Sequence, residues 1–534
     1  MSLSLVSTKT MAYDIAVENE NGKTIYYNYS EDGTELIVTY GVPYLYSYVS
    51  NRVSYTGDVV IPEEVTIMNR TRKVTSIGNA AFVCCSGMTS VTIPNSVTSI
   101  DYEAFAACTG LTSIIVPNSV TSLGEAAFSE CTGLVSATIS DNVTEIGSTT
   151  FNRCSSLTSV VLPDSVTSIG ACAFQYCSNL ASITIPNNVN SIGKEAFREC
   201  TSLTNINIPD SVVSIGNQTF LNCRSLTSVT IGSGLNDIGT NIFKNCSSIL
   251  SIVVSQENPK YDSQDNCNAI IETERNALIV GCRNSFIPNS VTSIGNDAFD
   301  GCSRLTAVTI PNSVTSIGRN AFNECSGLTS VTIPKNVTII GDKAFYCENL
   351  AEVVSLNDNP SAIGGKANGT FHLNTFNNAT LYVPVGTKDI YKEKAGWKDF
   401  AFIEEGTGGG SGSGEGGGTT EPERCATPTI SFANGELTFN CETEGVEYVY
   451  NITTGDVKNG IGSKVKLGGT YKVSVYAIKQ GYKNSDTATK EFILGSDGEV
   501  CDVNKDGTVD VADIATIISN MASRTRIQKE ATEY

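Results

Sequence analysis

Ser156–Cys177 reads S-L-T-S-V-V-L-P-D-S-V-T-S-I-G-A-C-A-F-Q-Y-C. Leu157, Val160 and Leu162 are apolar, and the last two alternate about Val161 as a half-buried strand requires. Pro163 cannot donate to a ladder and ends that strand. Val166 and Ile169 make a second short apolar pair. Gly170 permits a turn with positive φ. Ala173, Phe174 and Cys177 have the spacing of one helical turn facing inward. The unit is therefore strand, turn, strand, turn and a short helical or irregular segment. Alone it cannot bury its own Leu, Val, Ile and Phe.

The unit recurs every 23 residues. Phe82, Phe105, Phe128, Phe151, Phe174, Phe197, Phe220 and Phe243 mark the beat, which resumes at Phe299, Phe322 and Phe345. Three residues after most of them comes a cysteine: Cys85, Cys108, Cys131, Cys154, Cys177, Cys200, Cys223, Cys246, Cys302 and Cys325. A fixed period of this size means one supersecondary unit stacked on copies of itself. The expected fold is mainly β, a solenoid of 23-residue coils with an extended outer wall in place of a closed pocket. The chain has 18 cysteines, but neither C-x-x-C pairs nor histidine partners accompany the repeated ones, which argues against zinc. Their position favours a column of buried thiols over disulfides between adjacent coils. Cys84, Cys172, Cys267 and Cys282 lie off the column.

The pattern L-x-x-V-x-I/L resembles a leucine-rich repeat, with Ser119 and Ser165 standing at the usual Asn/Cys site. The units Ser90–Cys108 and Ser330–Phe345 resemble the BspA-type leucine-rich repeat family, and the likeness covers residues 13–404. It implies a bacterial surface or secreted protein, exposure to the medium and partner binding of the adhesion type.

Other segments depart from the beat. Residues 1–10 have no basic n-region and read as a leader remnant or a disordered start. Residues 11–75 carry β-alternation and a run of tyrosines, Tyr40, Tyr44, Tyr46, Tyr48 and Tyr55. They read as a β cap on the open end of a solenoid over 76–404, or as a tyrosine-rich contact surface. The interval from Phe243 to Phe299 is 56 residues, so 250–287 is an irregular coil. Its loop, Ser255–Cys282, is a tolerated insertion or a specificity loop. Residues 379–404 read as a last strand and a capping helix with Trp397 beneath it. Residues 405–424 form a Gly/Ser tether.

Residues 425–495 alternate in short stretches (Glu436–Asn440, Glu447–Ile452, Lys464–Leu467, Tyr471–Ala477, Thr487–Leu494). They resemble the small β-sandwich of immunoglobulin or fibronectin-III modules. Cys425 and Cys441 would make one staple in an oxidising setting. In 496–522, Asp502–Asp513 (D-V-N-K-D-G-T-V-D-V-A-D) matches the twelve-residue calcium-loop template, with Asp at the closing position. Asp502, Asn504 and Asp506 supply side-chain oxygens, Gly507 the sharp turn, Thr508 its carbonyl, and Asp510 and Asp513 complete the set. Hard oxygen ligands at this spacing suit Ca²⁺. Ile514, Ile517, Ile518 and Met521 line one face of the helix expected to follow. This loop–helix unit resembles one half of a type I dockerin, which implies a cohesin-like partner. Residues 523–534, read as a disordered tail, hold no second copy.

Lys plus Arg is 35 and Asp plus Glu 55, a net charge of −20, which leaves no footprint for nucleic acid and opposes anionic membranes. No apolar run of 18 residues suits a membrane span. Glycoside hydrolysis needs two placed carboxylates, and no pair stands out. His372, the sole histidine, reads as a solvated loop residue. The expectation is a non-enzymatic surface or secreted binding protein with an extracellular protein or glycan ligand. The alternative is a component of a dockerin/cohesin polysaccharide-degrading assembly. Outward residues that vary within the frame are the candidate readers of a ligand: Tyr102, Glu103, Glu130, Arg153, Tyr176, Lys194, Arg198, Arg224 and Arg319.

Overall fold

A computed structural model describes residues 13–19, 21–40, 55–367, 369–407, 424–433, 436–454, 469–478 and 485–494. The calcium loop Asp502–Asp513 and its helix, most of the tether, the Lys464–Leu467 stretch, and Tyr44, Tyr46 and Tyr48 lie outside the described residues. The chain divides into two units, residues 1–264 with 268–415 and residues 265–267 with 416–534.

Most coils of the first unit contribute two short parallel strands; residues 181–186 and 306–310 hold the first-strand place without forming one. Ser113–Ile115, Ser136–Thr138 and Ser159–Val161 pair in register 23 residues apart, Ser on Ser on Ser. Asn205–Ile208, Ser228–Ile231 and Ser251–Val254 continue the same side. A second ladder runs through Glu145–Ile146, Ser168–Ile169, Ser191–Ile192, Ser214–Ile215 and Asp237–Ile238. Between the two, the carbonyl of each proline closes a tight turn, as in Val166 N–H to Pro163 O at 3.1 Å. Leu157, Val160, Leu162, Val166 and Ile169 all point into one continuous core.

The third side is not the helical turn that Ala173, Phe174 and Cys177 predict. It is a ribbon of turns in which alternate amides bond outward and inward. Cys172, Phe174 and Tyr176 donate to Lys194, Ala196 and Arg198 of the next coil, at 2.9, 2.8 and 2.8 Å. Ala173, Gln175 and Cys177 donate three residues back within their own coil. This alternation forces a left-handed residue two before and two after each Phe. Cys172 has φ 56° and Tyr176 φ 62°, and the same two positions are positive in coil after coil. A helix would send every amide back along its own coil and leave neighbours unbonded on this side.

The repeated glycine is also needed for a different reason than a positive φ. Gly170, Gly193 and Gly216 have ordinary φ, but a Cβ on Gly193 would lie 2.6 Å from Ala171 N of the coil before. At Gly170, Gly193 and Gly216 the backbones approach too closely for a side chain. Asp101, which holds this place in its own coil, shows the same crowding from the other side: a Cβ on Gly124 would lie 2.5 Å from its carbonyl carbon.

The phenylalanines stack. From Phe82 to Phe243 successive ring centroids are 5.0–5.5 Å apart and within 19° of parallel. Phe299, Phe322 and Phe345 resume the column, and Phe371 extends it at 5.6 Å although it falls off the 23-residue beat. Such separations are in the favourable range for aromatic pairs. No two cysteines of the column are joined in a disulfide. From Cys108 to Cys246, and at Cys325, the cysteine is more than a small hydrophobe, because its Sγ donates to the carbonyl of the Phe in the preceding coil. Cys177 reaches Phe151 O at 3.1 Å and Cys200 reaches Phe174 O at 3.2 Å. Cys347 joins the column, bonding Phe322 O at 3.0 Å. Burial pushes the Cys154, Cys177 and Cys200 thiols well up.

The ends are closed. Ile15–Glu18, Thr24–Tyr29 and Leu36–Thr39 form an antiparallel sheet whose last strand pairs parallel with Arg70–Ile77, the start of the second ladder. Tyr55 packs on Phe82 at 4.9 Å. At the far end Thr380–Val383 is not the last strand; Phe402–Glu405 pairs beyond it. Between them lie the helix Lys388–Glu393 and Trp397, which is buried with Nε1 donating to Ser361 O at 2.8 Å.

In the irregular coil, Tyr261–Asp262, Ile270–Glu272 and Ala277–Val280 pair antiparallel before the second ladder restarts at Ser293–Ile294. Gly281 takes the Phe place: its amide bonds Ala298 O as a column Phe would, and a Cβ on it would lie 2.1 Å from the Phe299 ring. The second unit shows Thr429–Ala433 paired with Glu436–Asn440, and Gly469–Ile478 between Glu447–Thr454 and Ala488–Leu494, all antiparallel. Cys425 and Cys441 are not joined as a staple; the Cys441 thiol donates to Ala426 O at 3.0 Å.

Two outcomes follow from this packing. Gly193→Ala drives a methyl into backbone and is expected to lower stability by about 1–3 kcal/mol. Ala107→Gly, at a left-handed residue with φ 57°, is expected to raise it by up to about 1 kcal/mol. Urea denaturation of the two variants separates close approach from conformational strain.

The thiols give a pH dependence. The buried Cys154, Cys177 and Cys200 thiols stay protonated in the fold but ionise in the unfolded chain, so the native state holds more protons above the ordinary thiol range. Their stabilisation is complete below that range and is lost as pH rises through it. Melting temperature is expected to fall steeply from about pH 9 to pH 11, and less steeply in Cys177→Ala. Equal slopes for the two proteins would rule out the thiols as the cause.

Candidate binding surface

Inward positions of the coil are nearly invariant because the same cavity is filled each time. Outward positions are free, and the ribbon of turns carries several of them in each coil. The candidate readers fall on these columns. Tyr102, Lys194 and Arg319 stand three residues before their Phe, and Glu103 two before. Arg198 stands one after, Glu130, Arg153 and Tyr176 two after, and Arg224 four after.

Four of the nine come together. The Arg153 guanidinium lies 4.8 Å from the Tyr176 ring centroid and that of Arg198 lies 6.0 Å from it. Glu195, absent from the sequence-based set, binds both Arg198 at 3.0 Å and Lys194 at 3.2 Å. Gln175 donates to Glu195 at 2.6 Å and accepts from Asn152 at 2.8 Å. Burial raises the Glu195 carboxyl, but the Arg198 and Lys194 bonds and charges outweigh it and leave the group below its ordinary range. The patch is thus a half-buried tyrosine between two guanidiniums with its polar neighbours already ordered. Tyr102, Glu103, Glu130, Arg224 and Arg319 lie elsewhere on the ribbon. Only the partner residues one coil away could have been found from sequence, by laying the coils beneath one another.

A row of polar side chains continues along the ribbon. Asn222 donates to Glu199 at 2.6 Å, and Asn245 to Asn222 at 2.9 Å. The coil that follows Asn245 on this side is not the next in sequence. Lys244 pairs with Asp300 at 2.8 Å, and Arg304 reaches Ser248 at 3.3 Å, so the Phe243 and Phe299 coils are neighbours here. Burial pushes the Asp300 carboxyl up, against the pull of Lys244 and of Asn323, which donates to it at 2.8 Å. Gly301 fits this junction because a Cβ would lie 2.7 Å from Asn245 N, and its φ is 77°.

Beside the junction is a cleft of about 490 Å³ that runs from Arg224 to His372. His372 is not a solvated loop residue. It is half-buried, caps the helix Leu373–Asn378 by accepting Asn374 N–H on Nδ1 at 3.2 Å, and packs edge-on against Tyr346 at 4.7 Å. Among the described residues no group of three or more His, Cys, Asp or Glu side chains is arranged to hold a metal. No helix among them is long and apolar enough to cross a membrane.

Residues 62–181, 144–270 and 280–388 match the family model for the BspA type leucine rich repeat region. The chain belongs to the BspA-type leucine-rich repeat family. Among solved structures it is similar to a leucine-rich cell surface protein from Faecalibacterium prausnitzii, at 25% identity and TM-score 0.49. That match covers 72% of this chain and 98% of the other. It is also similar to a leucine-rich repeat protein from Bacteroides ovatus, at 26% identity and TM-score 0.43, over 64% and 94% of the two chains. No curated protein is similar to it in sequence.

Proposed function

We propose that this BspA-type protein is a non-enzymatic, surface-displayed or secreted binding protein of the adhesin kind, reading an extracellular protein or glycan ligand with its ribbon of turns. The observation that carries this is the Arg153–Tyr176–Arg198 patch. Tyrosine and arginine are the side chains that most often anchor protein interfaces. Here they project from a rigid, hydrogen-bonded edge, so little side-chain freedom is lost on binding. The family supports exposure outside the cell.

In this reading residues 425–495 are an immunoglobulin- or fibronectin-III-like spacer, carried on the Gly/Ser tether. Asp502, Asn504, Asp506, Thr508, Asp510 and Asp513 would hold one Ca²⁺, whose charge would fix the loop at the start of its helix. A cohesin-like partner for that helix is the alternative route into a polysaccharide-degrading assembly.

Binding of residues 11–404 to immobilised host-matrix and cell-surface proteins is the direct measurement. Affinity is expected to survive removal of 424–534 and to fall at least about tenfold, or 1.4 kcal/mol, in Tyr176→Ala with Arg198→Ala. If 424–534 alone carries the binding, the solenoid is the wrong domain. For the metal, calorimetric titration of Ca²⁺ into the full chain should show one site that disappears in Asp502→Ala.

A further inference from the structure

We propose that the cleft at the coil junction is a glycan-binding groove that takes an extended oligosaccharide of about four or five sugars, its length following from five coil steps of ~4.8 Å. The proposal rests on the binding reading above and names a ligand class for one site on the same edge.

The groove exists because two coils 56 residues apart in sequence meet on this side. Its floor is made of the residue that follows each column cysteine: Ser247, Ser303 and Ser326 stand one above another, with Gly301 alongside. In the coil before them the same place is filled by Arg224, and in the coil after by Glu348, so the small side chains are bounded at both ends by long ones. A floor of serine hydroxyls donates and accepts alike, which suits the hydroxyls of a sugar chain. Exposed Glu324 and Glu348 add acceptors for adjacent sugar hydroxyls. Tyr346 is half-buried and is held between His372 at 4.7 Å and Lys343, whose Nζ is 5.4 Å from the ring centroid. It offers a fixed aromatic side at one end of the groove. At the other end the guanidinium of Arg224 is exposed and has no side-chain partner among the described residues. It suits a sugar carboxylate.

The same features disfavour a peptide. An extended peptide binds best by adding a strand to an open sheet edge or by filling apolar pockets. The backbone here is already committed: Gly301 N–H bonds Asn323 O at 2.9 Å and Glu324 N–H bonds Tyr346 O at 3.2 Å. None of the residues lining the groove is aliphatic, so no pocket of Leu, Ile or Val side chains is offered to an anchor. The net charge of −20 excludes a nucleic acid strand.

The test is calorimetry on the full chain with three probes: cellohexaose, a xylohexaose bearing one glucuronic acid, and a capped hexapeptide of Ser and Gly. At least one oligosaccharide is expected to bind. Ser326→Tyr, which fills the floor from an exposed position, should weaken it more than tenfold, and Glu324→Gln severalfold. Arg224→Ala should weaken only the acidic probe. Thr138→Ala on the strand face should leave affinity unchanged. Binding of neither sugar, affinity untouched by Ser326→Tyr, or selective binding of the hexapeptide each overturns the assignment. Cell-surface binding measured in parallel separates the two claims. A chain that binds surfaces but no oligosaccharide loses only the groove, whereas one that binds oligosaccharide but no surface loses the adhesin reading.

Discussion

From Phe82 to Phe220, and again at Phe299, the column Phe has a carbonyl oxygen that accepts twice, once from the amide three residues on and once from the thiol of the next coil. Phe151 O takes Cys154 N–H at 3.2 Å and the Cys177 thiol at 3.1 Å. That one oxygen ties a coil to itself and to its neighbour at the point where both bury an aromatic ring. A buried carbonyl without partners is costly, and a larger donor would not fit beside the stacked rings. A small apolar residue with a weak donor answers both demands, so cysteine recurs without forming disulfides. The phenylalanines alone would bury apolar area; the thiol fixes how far each coil is rotated on the one before.

Once rotation and spacing are set, the other regularities follow. Coils separated by a strand spacing bring backbone onto backbone at the end of the second strand, where only a residue without Cβ clears Ala171 or Lys194. The ribbon must then reach across to the next coil with every second amide, which places left-handed residues at two fixed positions. Strain at these positions is accepted by Glu, Arg, Tyr and Thr as well as Asn because the inter-coil bonds hold them. The break at 250–287 obeys the same constraint. Where the aromatic ring is omitted, Gly281 takes its place under Phe299. Where two distant coils are brought together, Gly301 replaces the usual side chain.

The stacked coils were legible because identical residues at one interval report identical surroundings, and Phe and Cys have few other reasons to recur together. The ribbon was misread because inward residues at i, i+1 and i+4 suit a helix as well as alternating turns. What separates the two is a positive φ at Cys172 and Tyr176, residue types that do not signal it. The glycines were located correctly, but a glycine marks a need without saying whether conformation or clearance is meant. Phe371 escaped because the coil that carries it is longer than the period. Of the surface, single outward residues could be listed, whereas the clustering of Arg153, Tyr176 and Arg198 about Glu195 appears only when neighbouring coils are aligned.

Recognition follows from the division of labour within the coil. Inward positions answer to a shared core and cannot vary one at a time, since a change in one ring is felt by the rings on both sides. Outward positions on the ribbon touch only surface neighbours in their own and the adjacent coils, so a new side chain there alters the surface and little else. Binding features can therefore accumulate on a frame that is already stable, as the ordered Asn152–Gln175–Glu195 and Glu199–Asn222–Asn245 rows show. A smooth repeat can offer only ridges, however, because every coil adds the same step. A concave site needs an interruption, and the interruption at 250–287 supplies one by letting two coils meet over the missing turn segment, at the place where the buried cluster that starts in the N-terminal cap ends at Cys282.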